Sequence, residues 1–345
     1  MSAPERVLVA MSGGVDSSVA AALLVEAGHE VVGATLKLWG GASDRGCCSV
    51  ADVDDARSVA RRLGIEHHVF NFGDDFEEHV VAPYVADHAA GRTPNPCIEC
   101  NRHLKFDRLL RRAEALGFDA VATGHHARVS VVADGSRRVR RGADAAKDQS
   151  YVLHVLDQAA LARVRFPVGH LTKDDVRAEA ARLGLATAAK PDSQDVCFIT
   201  AEGGRAAFLG ERLATHPGRV VDGAGAPVGR VDAVELVTIG QRRGLGLAGG
   251  GAPRYVIAVD VPTATVTVGE EPELLVDSVP VEGLTWVHEP VPGPLLAQVS
   301  AHGQPRPCHV DGEAVRFETP HRRVAPGQSV VLYDHDEVVA AAVAR

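Results

Sequence analysis

Residues 6–28 confine the N-terminal part of this chain to a narrow set of folds. The apolar run at residues 7–10 reads as a short buried strand. After Ser12, Gly13 and Gly14, the residues Val15, Val19, Ala22 and Leu23 recur at helical spacing, and Gly28 closes the helix. Residues 12–17 are therefore a strand-to-helix turn with two glycines. Its small side chains leave backbone N–H groups open, with the positive end of the helix dipole behind them, which makes an anion cradle. It is not a lysine-bearing phosphate loop, because Val15 and Asp16 follow Gly14 where a Lys-Ser/Thr pair is required. A plain glycine-rich joint, capped by Ser12 or Asp16, is the alternative reading.

The alternation continues. Residues 31–38 read as a strand, 50–63 as a helix ended by Gly64, and 67–72 as a strand. Residues 97–116 form a basic amphipathic pattern ended by Gly117, and a strand follows at 119–123. Leu63-Gly64, Leu116-Gly117 and Leu183-Gly184, each followed by an apolar residue, repeat the same helix-to-strand junction. This order predicts a parallel sheet covered on both faces, with ligands at the carboxyl ends of its strands. From about 205, glycines and prolines punctuate β-rich runs at 218–221, 234–239, 255–260 and 265–268. Further runs at 285–287, 296–299, 314–317 and 328–333 have the spacing of a small barrel. The expected domains are 1–204, 205–275 and 276–345.

The formal net charge is −9, which argues against a uniformly basic nucleic-acid binder. Local basic clusters exist nonetheless. Arg102, His103, Lys105, Arg108, Arg111 and Arg112 share one helix; Arg137, Arg138, Arg140 and Arg141 flank a hairpin turn at Asp134-Gly135; Arg242 and Arg243 are adjacent. Each suits phosphate contact, and each equally suits a solvated face. No apolar run approaches the ~20 residues of a membrane span. The first residues lack an apolar signal core, so a cytoplasmic protein is expected.

Six cysteines, with Cys47 and Cys48 adjacent, do not resemble a secreted disulfide scaffold, and reduced thiols are expected. Cys97 and Cys100 open the basic helix, where the dipole stabilises a thiolate. Cys197 lies about a hundred residues on. A buried apolar role or half of a metal site are the alternatives. No second C-x₂-C completes a zinc site, whereas Cys97, Cys100 and Cys197 could hold an iron–sulfur cluster with one open position. Cys47, Cys48 and Cys308 read as non-catalytic.

Eight motifs occur in one order. They are Ser12-Gly-Gly-Val-Asp-Ser17, Gly46-Cys-Cys48, Thr93-Pro-Asn-Pro96 with Cys100-Asn101, Thr123-Gly-His125, Lys147-Asp-Gln-Ser-Tyr151, Phe166-Pro-Val-Gly169, Lys190-Pro-Asp-Ser193 with Cys197-Phe198, and the run from Thr238 to Leu245. Together they resemble the tRNA-specific 2-thiouridylases of the MnmA type, within the ATP pyrophosphatase (PP-loop) superfamily. The resemblance is strong over residues 6–270 and weak beyond. It implies an α/β, adenine-nucleotide α-hydrolase-like N-terminal domain, then a small β-rich domain and a C-terminal β-barrel.

It further implies ATP-dependent 2-thiolation of the wobble uridine of tRNA, in the cytoplasm, by a monomer served by a persulfide sulfur-donor protein. Ala10, Met11, Ser12, Gly13, Gly14, Val15, Asp16, Ser17, Leu36 and Gly124 would hold ATP, with magnesium neutralising the pyrophosphate. Cys197 would carry the persulfide and Cys100 would be its partner thiol. Asn95, Pro96 and Cys97 would face the target base, and His125, Lys147, Asp148 and Gln149 the tRNA. His125 could equally be a core histidine. Cys97 stands where many relatives have Asp, His126 where Tyr is usual, and Ser300-Ala-His-Gly303 where Arg-Tyr is frequent. Another PP-loop adenylating synthetase, or a non-catalytic RNA-binding or iron–sulfur protein on this fold, are the competing functions.

Overall fold

Residues 7–9 are wholly buried, which an alternating half-exposed strand could not be, and they occupy the middle of a parallel sheet. In the computed structural model, which describes residues 3–39, 49–133, 135–192, 196–199, 204–248 and 251–345, the chain falls into two compact units. The first comprises residues 1–81, 96–202 and 336–338; the second comprises 82–95, 203–335 and 339–345. The Gly46-Cys-Cys48 motif, Ser193 and the hairpin tip Asp134 lie outside the described residues.

The first unit is built on strands β1 (Arg6–Ala10), β2 (Glu30–Lys37), β3 (Glu66–Asn71), β4 (Ala120–Thr123) and β7 (Val164–Arg165), in the order β3-β2-β1-β4-β7. β1 pairs in parallel with β2 on one side and with β4 on the other. Helices α1 (Val15–Glu26) and α2 (Val50–Leu63) pack Val15, Val19, Ala56 and Val59 against Val7 and Val9. α2 begins with a reciprocal Ser49–Asp52 capping box and ends on left-handed Gly64, the stop expected from the sequence. Strands β5 (Ala127–Val131) and β6 (Arg137–Arg141) form the basic hairpin.

The helix expected over 97–116 runs without a break from Pro96 to Ala115 but changes its winding twice. Pro96–Glu99 and Leu109–Ala115 are α-helical, and Cys100–Arg108 is wound wider, as a π-helix. Within it, buried Asn101 donates to the Val152 carbonyl at 3.0 Å, a tertiary bond that apolar periodicity cannot reveal.

In the second unit, β8 (Gly218–Val221), β9 (Pro227–Val231), β10 (Tyr255–Asp260) and β11 (Thr265–Gly269) form one sheet over a valine-rich core. Residues 234–239 do not extend it. Residues Val234–Leu236 make a 3-10 turn, because the buried Glu235 carboxylate accepts from the backbone and ring of His216, while Arg205 binds the Leu236 carbonyl. Strands β12 (Leu275–Trp286), β13 (Leu295–Gln298), β14 (Arg306–Asp311), β15 (Ala314–Arg322), β16 (Ser329–Asp334) and β17 (Glu337–Ala344) follow the antiparallel order β12-β15-β14-β13-β16-β17. Pairing of Val281 with Ala344 and Trp286 with Ala340 closes the barrel. Among the described residues, no helix is long and apolar enough to cross a membrane.

Candidate active site

The turn after β1 is shaped by close backbone approach. Gly13 has φ +73°, and a Cβ there would lie 2.3 Å from the Asp52 carbonyl oxygen. Gly124, at the end of β4, faces the turn from the other side. A Cβ on it would lie 2.5 Å from the Ser17 nitrogen and 2.6 Å from the Asp16 carbonyl carbon. Ala10 pairs with both Ala34 and Thr123, and Met11 donates to the Ala34 carbonyl at 2.8 Å. The Ser12 N–H donates to Ser17 Oγ at 3.2 Å, and Ser18 Oγ donates to the Gly14 carbonyl at 2.8 Å. Gly14 caps α1 and, having no side chain, makes no capping bond to its first-turn amides. Val15 is buried here, and Leu36 is buried in β2.

Charge gathers around this turn in opposed pairs. Lys173 Nζ donates to both Asp16 carboxylate oxygens at 2.7 and 2.8 Å and reaches Asp192 at 2.9 Å. His126 Nε2 lies 3.1 Å from Asp16 Oδ1. Burial raises the Asp16 pKa, but the hydrogen bonds from His126 and Lys173 outweigh it and leave it below the usual carboxylate value. Asp192 also accepts from Lys147 and Arg177, each at 2.8 Å. Its burial is likewise outweighed, by the Lys147 and Lys173 bonds, and its pKa falls to about 2. Lys190 Nζ donates to the Gly13 carbonyl at 3.0 Å, to Asp52 at 2.7 Å and to Asp55 at 2.6 Å.

Lys173, Lys190 and Asp192 are the members that sequence reasoning did not assign to the site. A signal for Lys173 exists. A lysine directly after the helix cap Thr172 opposes the helix dipole, so it must answer to something outside its own helix.

The remaining candidates separate into two groups. His125 is buried, with its ring between Phe106 and Phe166 at 5.7 and 5.9 Å and Nδ1 2.6 Å from Thr123 Oγ1. Burial, with Lys105 nearby, holds its pKa well below the usual value, so the ring is neutral. Asp148 is bound by Arg141, the Gly142 amide and Ser150, and Gln149 accepts from the His126 amide at 2.9 Å. Lys147 remains about one-third exposed beside Asp192.

Cys97 is exposed, Cys100 buried and Cys197 half-buried. Phe198 sets its ring 5.5 Å edge-on from Phe76 and 6.3 Å from Trp39. The short helix Gly73–Phe76 in turn packs against the segment Cys100–Arg108. Pro96 and Cys97 belong to the first unit, and Asn95 to the second. Among the described residues, no three His, Cys, Asp or Glu side chains gather to hold a metal ion, Cys97, Cys100 and Cys197 included.

Residues 5–201 match the family described as tRNA methyl transferase HUP domain, 206–270 its PRC-barrel domain, and 276–343 an aminomethyltransferase beta-barrel domain. The tRNA-specific 2-thiouridylase MnmA of Mycolicibacterium smegmatis is 50% identical to this chain, over 98% of each. That of Mycobacteroides abscessus is 50% identical over 98% of this chain and 99% of the relative, and that of Streptomyces coelicolor 48% over 98% and 94%. The chain belongs to the MnmA family.

In this MnmA-family chain, two of the three basic clusters are largely tied up by acids. On the helix, Arg102 and His103 pair with Glu99, Arg108 with Asp75, and Arg111 with Asp107. On the hairpin, Arg138 pairs with Glu337, Arg140 with Asp336, and Arg141 with Asp148. Among the described residues, Arg242 and Arg243 meet no carboxylate and both are exposed.

Proposed function

We propose that this chain is an ATP-dependent tRNA-uridine 2-sulfurtransferase acting on the wobble uridine. The observation that carries the proposal is near-complete, half-identical coverage by tRNA-specific 2-thiouridylases. The turn at residues 12–17, closed by Gly124, suits a triphosphate held by backbone amides, with Leu36 against the adenine. The C2 oxygen of uridine attacks the α-phosphorus and pyrophosphate leaves, which turns a poor leaving group into AMP. Lys173 is placed to meet the charge that develops on the phosphates.

In the second step the terminal sulfur of a persulfide on Cys197 attacks C2. The Cys100 thiolate then attacks Cys197 Sγ and breaks the S–S bond, and its electron pair goes to the transferred sulfur. The C2=S bond forms as AMP departs with the former C2 oxygen, and a Cys100–Cys197 disulfide remains. A dithiol reductant restores the thiols, and a persulfide-bearing donor protein reloads Cys197.

Magnesium, when bound with the triphosphate, supplies charge neutralisation, and Asp16 is the carboxylate at the turn suited to it. An iron–sulfur cluster on Cys97, Cys100 and Cys197 does not fit their placement. Asn95, Pro96 and Cys97 are assigned to the target base. Lys147 contacts the tRNA, while Asp148 and Gln149 hold the backbone beside it and His125 supports the strand end from the core. Further proposals are a cytoplasmic location, a monomeric state, and domain limits near 205 and 275.

The test is incubation with ATP, a persulfide donor and unmodified tRNA, then nuclease digestion and detection of 2-thiouridine. Methyl transfer, the activity in one matched description, needs neither a pyrophosphate grip nor paired thiols. AMP release without 2-thiouridine would instead place the chain among other adenylating enzymes.

A further inference from the structure

We propose that the loop carrying Arg242 and Arg243 is a preformed prong for the sugar-phosphate backbone of the RNA; this rests on the tRNA reading above. The loop is stapled through its backbone and one glutamine. Gln241 Oε1 accepts from the Thr238 amide at 3.2 Å, and Gln241 Nε2 donates to the Arg243 carbonyl at 2.8 Å. The Gly240 amide donates to the Val256 carbonyl at 2.8 Å, and the Val256 amide returns a bond to the Gln241 carbonyl at 3.0 Å. Leu245, just beyond, is anchored in the core of the four-stranded sheet. None of these bonds uses a guanidinium. Among the described residues the two arginine side chains make no ion pair, whereas Gln241 and the backbone at Thr238, Gly240 and Arg243 are hydrogen-bonded.

That separates this pair from the other basic clusters, whose charges mostly serve internal ion pairs. In a chain of net charge −9, two adjacent arginines that meet no carboxylate, on a hydrogen-bonded loop, offer a polyanion an unopposed point of contact. The root of the loop also points to a particular polyanion. Thr238 Oγ1 lies 3.4 Å from Thr93 Oγ1, and Arg205 donates to Thr238 Oγ1 at 3.3 Å. Thr93 stands two residues before Asn95, the second unit's residue assigned to the target base. One unit thus carries both a base-facing residue and an unused pair of cations fastened to the same segment. The prong takes backbone phosphates near the target uridine, supplying affinity and orientation without reading sequence.

The experiment measures binding of unmodified tRNA to the full chain at several salt concentrations from about 50 to 200 mM. Each phosphate contact contributes about 0.7–0.9 to the slope of log affinity against log salt. The double variant Arg242→Gln/Arg243→Gln should lose about 1.4–1.8 of that slope and bind at least tenfold more weakly at low salt. Its AMP formation at saturating tRNA should stay within twofold of native. Arg242→Lys/Arg243→Lys, which keeps the charge, should retain the slope, and Arg138→Gln, already neutralised by Glu337, should leave it unchanged. Gln241→Ala should weaken binding a few-fold at unchanged slope, since the charges remain and only their placement is lost.

A Gln/Gln variant with native slope and affinity overturns the proposal. So does one that binds tRNA normally but loses sulfur delivery, which would give the loop to an acidic protein partner. Failure of the native chain to bind or thiolate tRNA at all would sink the functional reading itself, and the two failures are told apart by that control.

Discussion

Replacing Lys173 by methionine removes one charge from the centre of the site while keeping the length of the side chain. Nζ touches both oxygens of Asp16 and one of Asp192, and the side chain is only 11% exposed. After the change Asp192 keeps Lys147 and Arg177, whereas Asp16 keeps His126. Breaking a fully buried pair costs about 3–5 kcal/mol. The Asp16 side chain is 31% exposed and solvent screens it, so a loss of about 1–2 kcal/mol is expected. Against a total stability of about 5–15 kcal/mol, the chain stays folded. The effect on ATP chemistry is larger. The turn would present an uncompensated carboxylate to a triphosphate and lose charge-assisted bonds worth about 1.5–3 kcal/mol each. AMP formation in the presence of tRNA should fall roughly a hundredfold or more, while urea melts shift modestly. The pH dependence has a definite sign. Lys173 helps hold the Asp16 pKa down, so in the variant that pKa rises, and because Asp16 must be ionised to hold magnesium, residual activity should fall away at higher pH than in the native chain as pH drops towards 5. AMP release within threefold of native at unchanged KM for ATP would refute the placement of Lys173 at the phosphates.

Gly124→Ala should raise the KM for ATP at least tenfold, because its Cβ would meet backbone atoms of Asp16 and Ser17 that cannot rotate away; a native KM would remove this turn from the nucleotide site. Cys197→Ser should yield no 2-thiouridine on digestion while tRNA affinity stays within twofold, and any product at the native rate would end the persulfide assignment. Asp192, with its folded pKa lowered to about 2, contributes stability that is present above about pH 4 and lost as pH falls towards 2. Screening reduces that contribution to about 1–2 kcal/mol. Asp192→Asn should therefore flatten the acid limb of stability in urea titrations between pH 5 and 2, and an unchanged limb would show that the carboxylate's ion pairs carry no such weight.

Much of the first unit was legible because its signals are local. The strand, the glycine turn and the Gly64 stop each announce themselves within a few residues. The charges of the site do not. Lys190 meets Asp52 and Asp55 across more than 130 positions, and Lys173 meets Asp16 across 157, and no periodicity encodes such pairings. The same blindness affected the basic clusters. Arg138 and Arg140 look available for phosphate until folding brings Glu337 and Asp336 against them from about 200 residues away. Residues 234–239 read as a strand because apolar content is visible in sequence, whereas the buried Glu235–His216 pair that turns them is not. β17 was missed for the opposite reason: its alanine-rich run shows no alternation, although it closes the barrel.

Four cations around the turn (Lys147, Lys173, Arg177 and Lys190) face four carboxylates, those of Asp16, Asp52, Asp55 and Asp192. A purely positive pocket would hold ATP and departing pyrophosphate almost equally well, which lowers KM without speeding the reaction. A balanced pocket behaves differently. If the turn holds ATP as proposed, ground-state phosphate meets cations already engaged by aspartates, and the charge that builds up as the α–β bond breaks is what would compete for Lys173. Two of the ties, Lys190 and Asp192, lie within seven residues of Cys197 on the same stretch of chain. If Lys173 moves towards phosphate, its hold on Asp192 loosens and that carboxylate is left to Lys147 and Arg177.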